Sequence, residues 1–218
     1  MESTEPVQEP TAARVDYNLS TLTRADLAPN PVDQLRRWLL DAAEAGDPEP
    51  NAMALATVDD DGRPRCRNVL LRELDDDGLV FFSNRNSAKG RAMDARPVAG
   101  ALFSWLGLHR QARVDADVEL VDGAAADAYW QSRPRDSRLA SAASPQGEVV
   151  ANREALEALV RRATEAAEGG AVERPDHWVG YRLVPHTFEF WQGRRARLHD
   201  RFQYRRVAGG WEVDRLAP

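Results

Sequence analysis

The chain has 218 residues, with 29 Lys plus Arg against 35 Asp plus Glu, a net charge of −6 and a pI near 5.3. That balance argues against a general nucleic-acid binder, which needs a surplus of basic residues. Its 43% hydrophobic content is enough for a substantial core, and no apolar run approaches the ~20 residues of a membrane span.

The start is polar and acidic, without the basic and apolar segments of a secretory signal. Cys66 is the only cysteine and Lys89 the only lysine. A cytoplasmic protein without an internal disulfide or a cysteine-based metal cluster is the expectation. Residues 1–13, rich in Glu, Pro, Thr and Ser, are expected to form a disordered tail, and 14–218 a single domain.

Asn30 and Pro31 predict a helix start, with Val32, Leu35, Trp38, Leu39 and Ala42 on one face and a stop near Gly46. Strands are expected over 53–58, 63–71 and 79–83, separated by the turns Asp59-Asp60-Asp61-Gly62 and Asp75-Asp76-Asp77-Gly78. Ser87 is placed to cap a short helix ending before Pro97, and 98–106 resumes as strand. Over 111–121 the sequence alternates, with Ala112, Val114, Ala116, Val118 and Leu120 facing one way and Arg113, Asp115, Asp117 and Glu119 the other. That is the pattern of a half-buried strand.

Helices follow at about 123–132 and 153–168, the second ended by Gly169-Gly170. Strands at 178–184 and 188–191 lead to a final hairpin, 202–207 and 211–216. The sum is a mainly β fold with peripheral helices, its antiparallel strands favouring a closed barrel that removes exposed edges. Neither G-x-G-x-x-G nor a P-loop is present.

Four groups of residues could carry chemistry. Arg67 and Arg72, five apart, share an anion only if the strand bends or bulges; otherwise both are solvated edge residues. Ser83 to Gly90, with Ser87 and Lys89, offers a strand end and helix start to a phosphate, or is an ordinary cap. Tyr129 and Arg133 lie four apart on a helix face, with Ser137 just beyond a Pro134 stop. A phenol, a guanidinium and a hydroxyl suit a phosphate monoester, unless Arg133 pairs with a carboxylate.

The fourth group is the C-terminal run around Trp191, Arg197 and His199. Arg197 and His199, two apart, share one face of an extended segment, and the neighbouring Arg194 and Arg195 are expected to face solvent or to act as gating residues. No histidine pair has metal-ligand spacing, so no metal is expected, and no G-x-S-x-G motif is present.

Several blocks now occur in a recognisable order. They are Asn51-Ala52-Met53, the Arg67–Arg72 strand, Arg110-Gln111, Ser132-Arg133-Pro134-Arg135-Asp136-Ser137, Glu189-Phe190-Trp191-Gln192-Gly193, Arg197-Leu198-His199-Asp200-Arg201 and Asp214-Arg215-Leu216-Ala217-Pro218. From about Arg14 onward the chain resembles the pyridoxamine 5′-phosphate oxidase family. The resemblance implies an FMN-binding split β-barrel and a homodimer, with a dimerisation and active-site segment at about 172–218. It also implies oxidation of pyridoxamine and pyridoxine 5′-phosphates by O₂ to pyridoxal 5′-phosphate, with release of H₂O₂.

By position, the resemblance assigns Arg67, Arg72, Phe82, Ser83, Lys89 and Gln111 to FMN from one subunit, and Gln146, Trp191 and Arg201 from the other. Tyr129, Arg133, Ser137 and Arg72 would hold the substrate phosphate. Arg197 and His199 would act on the substrate ring as the catalytic pair, and Arg14 and Tyr17 would close over the site. Three positions depart from the family's usual residues: Arg72 replaces Lys, Ala88 replaces Arg, and Gly147 replaces Ser. The same resemblance leaves room for a related flavin oxidase of the phenazine-biosynthesis type, or for a flavin- or pyridoxal-phosphate-binding module without turnover.

Overall fold

The computed structural model describes residues 16–218, so the expected tail at 1–13 and the candidate Arg14 lie outside the described residues. The first helix, α1 (Pro31–Glu44), starts where Pro31 and the Asn30 side chain place it, with Asn30 Oδ1 accepting the Val32 N–H at 3.0 Å. Its buried face, Val32, Leu35, Trp38 and Ala42, packs on the sheet. Trp38 meets Trp105 and Phe190 edge-on, with ring centroids 6.2 and 5.1 Å apart.

Nine antiparallel strands form one sheet: β1 (Ala52–Val58), β2 (Pro64–Leu70), β3 (Glu73–Asp75), β4 (Gly78–Asn84), β5 (Val98–Trp105), β6 (Arg110–Leu120), β7 (Trp178–Gln192), β8 (Asp200–Val207) and β9 (Gly210–Arg215). The path runs β2-β1-β5-β6-β7-β4-β3, with β8 and β9 added beside the far half of β7. Four more helices, α2 (Ala88–Ala95), α3 (Gly123–Ser132), α4 (Arg135–Ala143) and α5 (Arg153–Ala166), fill the connections.

The expected barrel is not closed by a strand ladder, because β2 and β3, the two ends of the path, do not pair. Instead the chain itself turns the corner between them. Leu71 N–H donates to Asn51 O at 2.9 Å on the β1 side, and Arg72 N–H to Val80 O at 2.8 Å on the β4 side. This bend resolves the spacing of Arg67 and Arg72. Arg67 lies on β2 and Arg72 in the corner after it, so the two side chains share one cleft instead of opposite sheet faces.

The segment expected as two strands is a single one, β7, fifteen residues long. Across the expected break, Pro185 pairs with Ala116 and Thr187 with Asp115, leaving His186 as an extra residue in a bulge. The first half of β7 pairs with β4 and the second with β8, while β6 runs along the other edge throughout. On β6 the expected alternation holds from Ala112 to Val118, but Leu120 is 49% exposed because it leaves the covered face at the strand end.

Pro134 is the stop expected of it, but a second helix that the sequence did not announce, α4, starts directly after it. Ser137 therefore lies in the first turn of a helix. A satellite core of Trp130, Leu139, Val172 and Trp178 holds α3 and α4 against the start of β7, separate from the main core inside the sheet. Among the described residues, no helix is long and apolar enough to cross a membrane.

The corner that carries Arg72 depends on the β3–β4 turn. There Asp75 Oδ1 accepts the Asp77 and Gly78 N–H groups, each at 3.0 Å, and the Arg182 guanidinium at 2.5 Å. Gly78 has φ +141°, and a Cβ there would overlap the Leu183 carbonyl oxygen. Gly78→Ala is therefore expected to lower unfolding stability by about 3 kcal/mol. Urea denaturation checks this; an unchanged midpoint would contradict the packing.

Candidate active site

A cleft of about 710 Å³ opens between the β2–β3 corner, β4 and the α3–α4–α5 layer. Arg67, Arg72, Phe82, Ser83, Lys89, Tyr129, Arg133 and Gln146 all line it, eight of the residues selected from sequence. Aromatic stacking builds its wall. Phe82 lies parallel to Tyr129 at 4.0 Å and to Trp178 at 5.2 Å, fixing Tyr129 from the α3 side.

Four cations face this cleft, and among the described residues none of them pairs with a carboxylate. Arg67 donates to Leu55 O at 3.1 Å and Thr57 Oγ1 at 2.8 Å. Lys89 donates to Ser87 Oγ at 3.1 Å and Gln146 Oε1 at 3.0 Å. Arg133 lies 4.9 Å over the Trp178 ring and 5.3 Å over Trp130, donating from Nη2 to Ser141 Oγ at 2.9 Å. Its Nη1 is buried without a partner. Arg72 completes the set, close enough for its charge to act on Arg133.

Burial, followed by the Arg67 charge, pulls the Lys89 ammonium down to about 8. Arg133 is likewise held below the ordinary guanidinium value, first by burial, while the Arg72 and Arg138 charges add to the lowering. Cations strained in this way, beside an unpartnered N–H, fit a bound anion, and the stacked aromatic wall fits a flat ring.

The Ser87 cap is real, its Oγ accepting the Gly90 N–H and donating to Asn84 O at 2.7 Å. Gln146, expected from the partner subunit, sits in its own chain's cleft. Gly147 beside it has φ +94°, a left-handed backbone that disfavours the Ser usual in the family.

The remaining candidates do not line the cleft. Ser137 is half-buried on α4 outside it. Gln111 stands opposite Trp191 in the β6–β7 ladder. Tyr17 packs edge-on against His109, Trp191 and His199, at 4.6, 5.9 and 5.7 Å, and Trp191 lies 4.6 Å from His199. Arg201 is committed to buried Glu189, donating from Nε at 2.7 Å, and to Ala217 O at 2.8 Å.

Arg197 is exposed, on a turn where Ala196 and Arg197 both have positive φ, +54° and +61°. Arg194, expected to face solvent or to act as a gating residue, is partly exposed and pairs with buried Asp200 at 3.3 Å. Asp200 also accepts Leu22 N–H at 3.1 Å and Arg215 at 2.5 Å, so it fastens the N-terminal segment and β9 to the His199 turn. Sequence reading missed Asp200, Trp178 and Ser141. Ser141, one helical turn beyond Ser137, could have been found only once α4 was recognised.

Fold and cleft together define the class of FMN-binding split barrels. One such structure, a pyridoxamine 5′-phosphate oxidase-related, FMN-binding protein from Nostoc punctiforme, superposes with a TM-score of 0.69 at 20% identity, over 88% of this chain and 100% of that one. The chain belongs to the pyridoxamine 5′-phosphate oxidase family. The family model for pyridoxamine 5′-phosphate oxidase matches residues 39–166, and that for the pyridoxine 5′-phosphate oxidase C-terminal dimerisation region matches 178–218.

A pyridoxine/pyridoxamine 5′-phosphate oxidase from Thermosynechococcus vestitus is 51% identical over 94% of this chain and 97% of its own length. The structure of PhzG from Burkholderia lata, in complex with tetrahydrophenazine-1-carboxylic acid, is 34% identical with a TM-score of 0.85, over 92% of this chain and 99% of that one.

His199 Nδ1 accepts the Arg194 N–H at 3.1 Å, which leaves the neutral ring's proton on Nε2. Burial first, then the Arg197 and Arg201 charges, hold it below the ordinary value of 6.5, with Asp200 opposing them. Protonation must break the Arg194 bond. The unfolded chain thus binds this proton at a higher pH than the folded one. The stability tied to neutral His199 is present above 6.5 and is lost as pH falls through the lower folded value. An NMR titration is expected to show an Nε2–H tautomer with a midpoint below 6.5; a midpoint at or above 6.5 would contradict the placement.

Proposed function

We propose that this chain is an FMN-dependent oxidase that converts pyridoxamine and pyridoxine 5′-phosphates to pyridoxal 5′-phosphate with release of H₂O₂, acting as a cytoplasmic homodimer. One observation carries the reading: Arg67, Arg72, Lys89 and Arg133 converge on one aromatic-walled cleft while their recorded partners are hydroxyls, amide and peptide carbonyls, and indole faces. Such a cleft suits two phosphate-bearing aromatic molecules side by side. Cytoplasmic placement is supported by the lone, exposed Cys66.

FMN, when bound, would supply the two-electron acceptor, with O₂ as the final oxidant. Arg67, Ser83 and Lys89 would hold its phosphate, with Phe82 and Gln146 beside them. Arg72, Tyr129 and Arg133 would clamp the substrate phosphate, a remote contact whose binding energy fixes the ring for reaction. From the partner subunit, Trp191 and Arg201 would cover the flavin, while Tyr17 would help close the site. Arg197 would set a permanent positive charge against the substrate ring, and neutral His199 would offer its Nε2–H as a donor.

Oxygen uptake and peroxide release by FMN-loaded protein test the reading. Turnover is expected with either phosphorylated vitamer, and Arg133→Ala should lower kcat/KM about 30-fold, as for loss of a charged hydrogen bond worth about 2 kcal/mol. Absence of oxygen uptake with both vitamers would overturn it. Turnover indifferent to Arg133→Ala would point to an oxidase for an aromatic lacking the phosphate.

A further inference from the structure

Arg133 and Arg201 are both candidates for binding an anion, yet the fold treats them in opposite ways. Arg201 is neutralised by Glu189, which is 7% exposed and also pairs with Arg113 at 3.2 Å. Arg133 has no such partner. Its guanidinium rests on the Trp130 and Trp178 rings, and its one recorded side-chain hydrogen bond goes to a neutral oxygen, Ser141 Oγ, at 2.9 Å.

The geometry around this bond has a clear origin. Arg133 caps the end of α3, Pro134 turns the chain, and α4 starts at Arg135. Two turns of α4 then bring Ser141 back to the guanidinium from which the helix departed, and Ser141 lines the same cleft. Stacking on indoles fixes the distance of a guanidinium from a ring but leaves it free to rotate in its own plane. A hydrogen bond from Nη2 removes that rotation, and the buried Nη1 keeps no partner among the described residues. A carboxylate in place of Ser141 would also hold Arg133, but it would cancel the charge and compete with a phosphate for the same N–H groups.

We infer that Ser141 is a positioning residue for the substrate phosphate: it orients Arg133 through Nη2 without neutralising it, so that the guanidinium presents a fixed, fully charged edge to a phosphate monoester. The inference rests on the reading of Arg133 as the phosphate-binding arginine. Ser137, which the family resemblance favours for this clamp, stands one turn away on α4 and outside the cleft lining.

The test uses the FMN-loaded enzyme and compares wild type with Ser141→Ala, Ser141→Thr, Arg133→Ala and the Ser141→Ala/Arg133→Ala double variant. Two readouts are taken: steady-state oxidation of pyridoxine 5′-phosphate, and calorimetric binding of inorganic phosphate, which needs no turnover. Ser141→Ala is expected to raise both KM and the phosphate Kd about five-fold while kcat stays within about two-fold, the pattern of lost uniform binding. Ser141→Thr, which keeps the hydroxyl, should remain near wild type. In the Arg133→Ala background, Ser141→Ala should add nothing further.

An unchanged KM and phosphate Kd in Ser141→Ala would overturn the inference. So would the same five-fold effect persisting without Arg133, or a loss that Ser141→Thr shares in full. Failure of wild type to oxidise either vitamer would count against the oxidase reading alone, because phosphate binding still reports on Ser141.

Discussion

An extended strand rises about 3.3 Å per residue, so the thirteen steps from Trp178 to Trp191 along β7 carry the chain roughly 40 Å. Trp178 stands in the wall of the cationic cleft, while Trp191 stands in the cluster with Tyr17 and His199. One uninterrupted strand thus holds the two groups of candidate residues apart. β4 grips its first half and β8 its second, with β6 along the whole of the other edge. On the proposed reading a two-fold partner bridges this separation, the cleft of one protomer meeting the Trp191 end of the other. The family's dimerisation region begins at residue 178, the first residue of this same strand.

The distribution of charge follows the same division. Away from the cleft, several cations are matched: Arg201 with Glu189, Arg194 and Arg215 with Asp200, Arg182 with Asp75, Arg174 with Asp127. These pairs hold strands, termini and turns in place. Inside the cleft the fold uses neutral acceptors and aromatic faces, which orient a cation without cancelling it. Burying unmatched charge costs stability, and the lowered values at Lys89 and Arg133 are the signature of that cost. An anion entering the cleft relieves it. In the C-terminal run, Arg194 and Arg201 are tied up in ion pairs with Asp200 and Glu189.

Much of the frame was legible in the sequence because it is local. Asn30-Pro31, Ser87 and the Asp-Gly turns sit where their backbone chemistry requires, and the alternation over Ala112–Val118 marks one buried sheet face. What lies beyond Pro134, and whether the strand runs on past residue 184, is decided by tertiary contacts: α4 docks through Leu139 on the satellite core, and β7 continues because β6 and β8 hold it past the bulge. The cleft residues were selectable by type, whereas the sharing of one cleft by Arg67 and Arg72 depended on the Leu71–Arg72 corner, invisible to periodicity. Asp200 and Ser141 act through partners from 6 to 178 residues away, which no helix or strand period brings together.

The central claim is that each site is assembled from two chains, and subunit complementation tests it most directly. Arg133→Ala disables the cleft contribution and Arg197→Ala the C-terminal one, so each homodimer alone should be nearly inactive. After the two variants are mixed and their subunits exchanged, half the dimers are hybrids, each with one fully intact site. Oxidase activity should then recover to about a quarter of wild type. Activity remaining at the level of the separate variants after verified exchange would place both residues in a site built by one chain, and contradict the account.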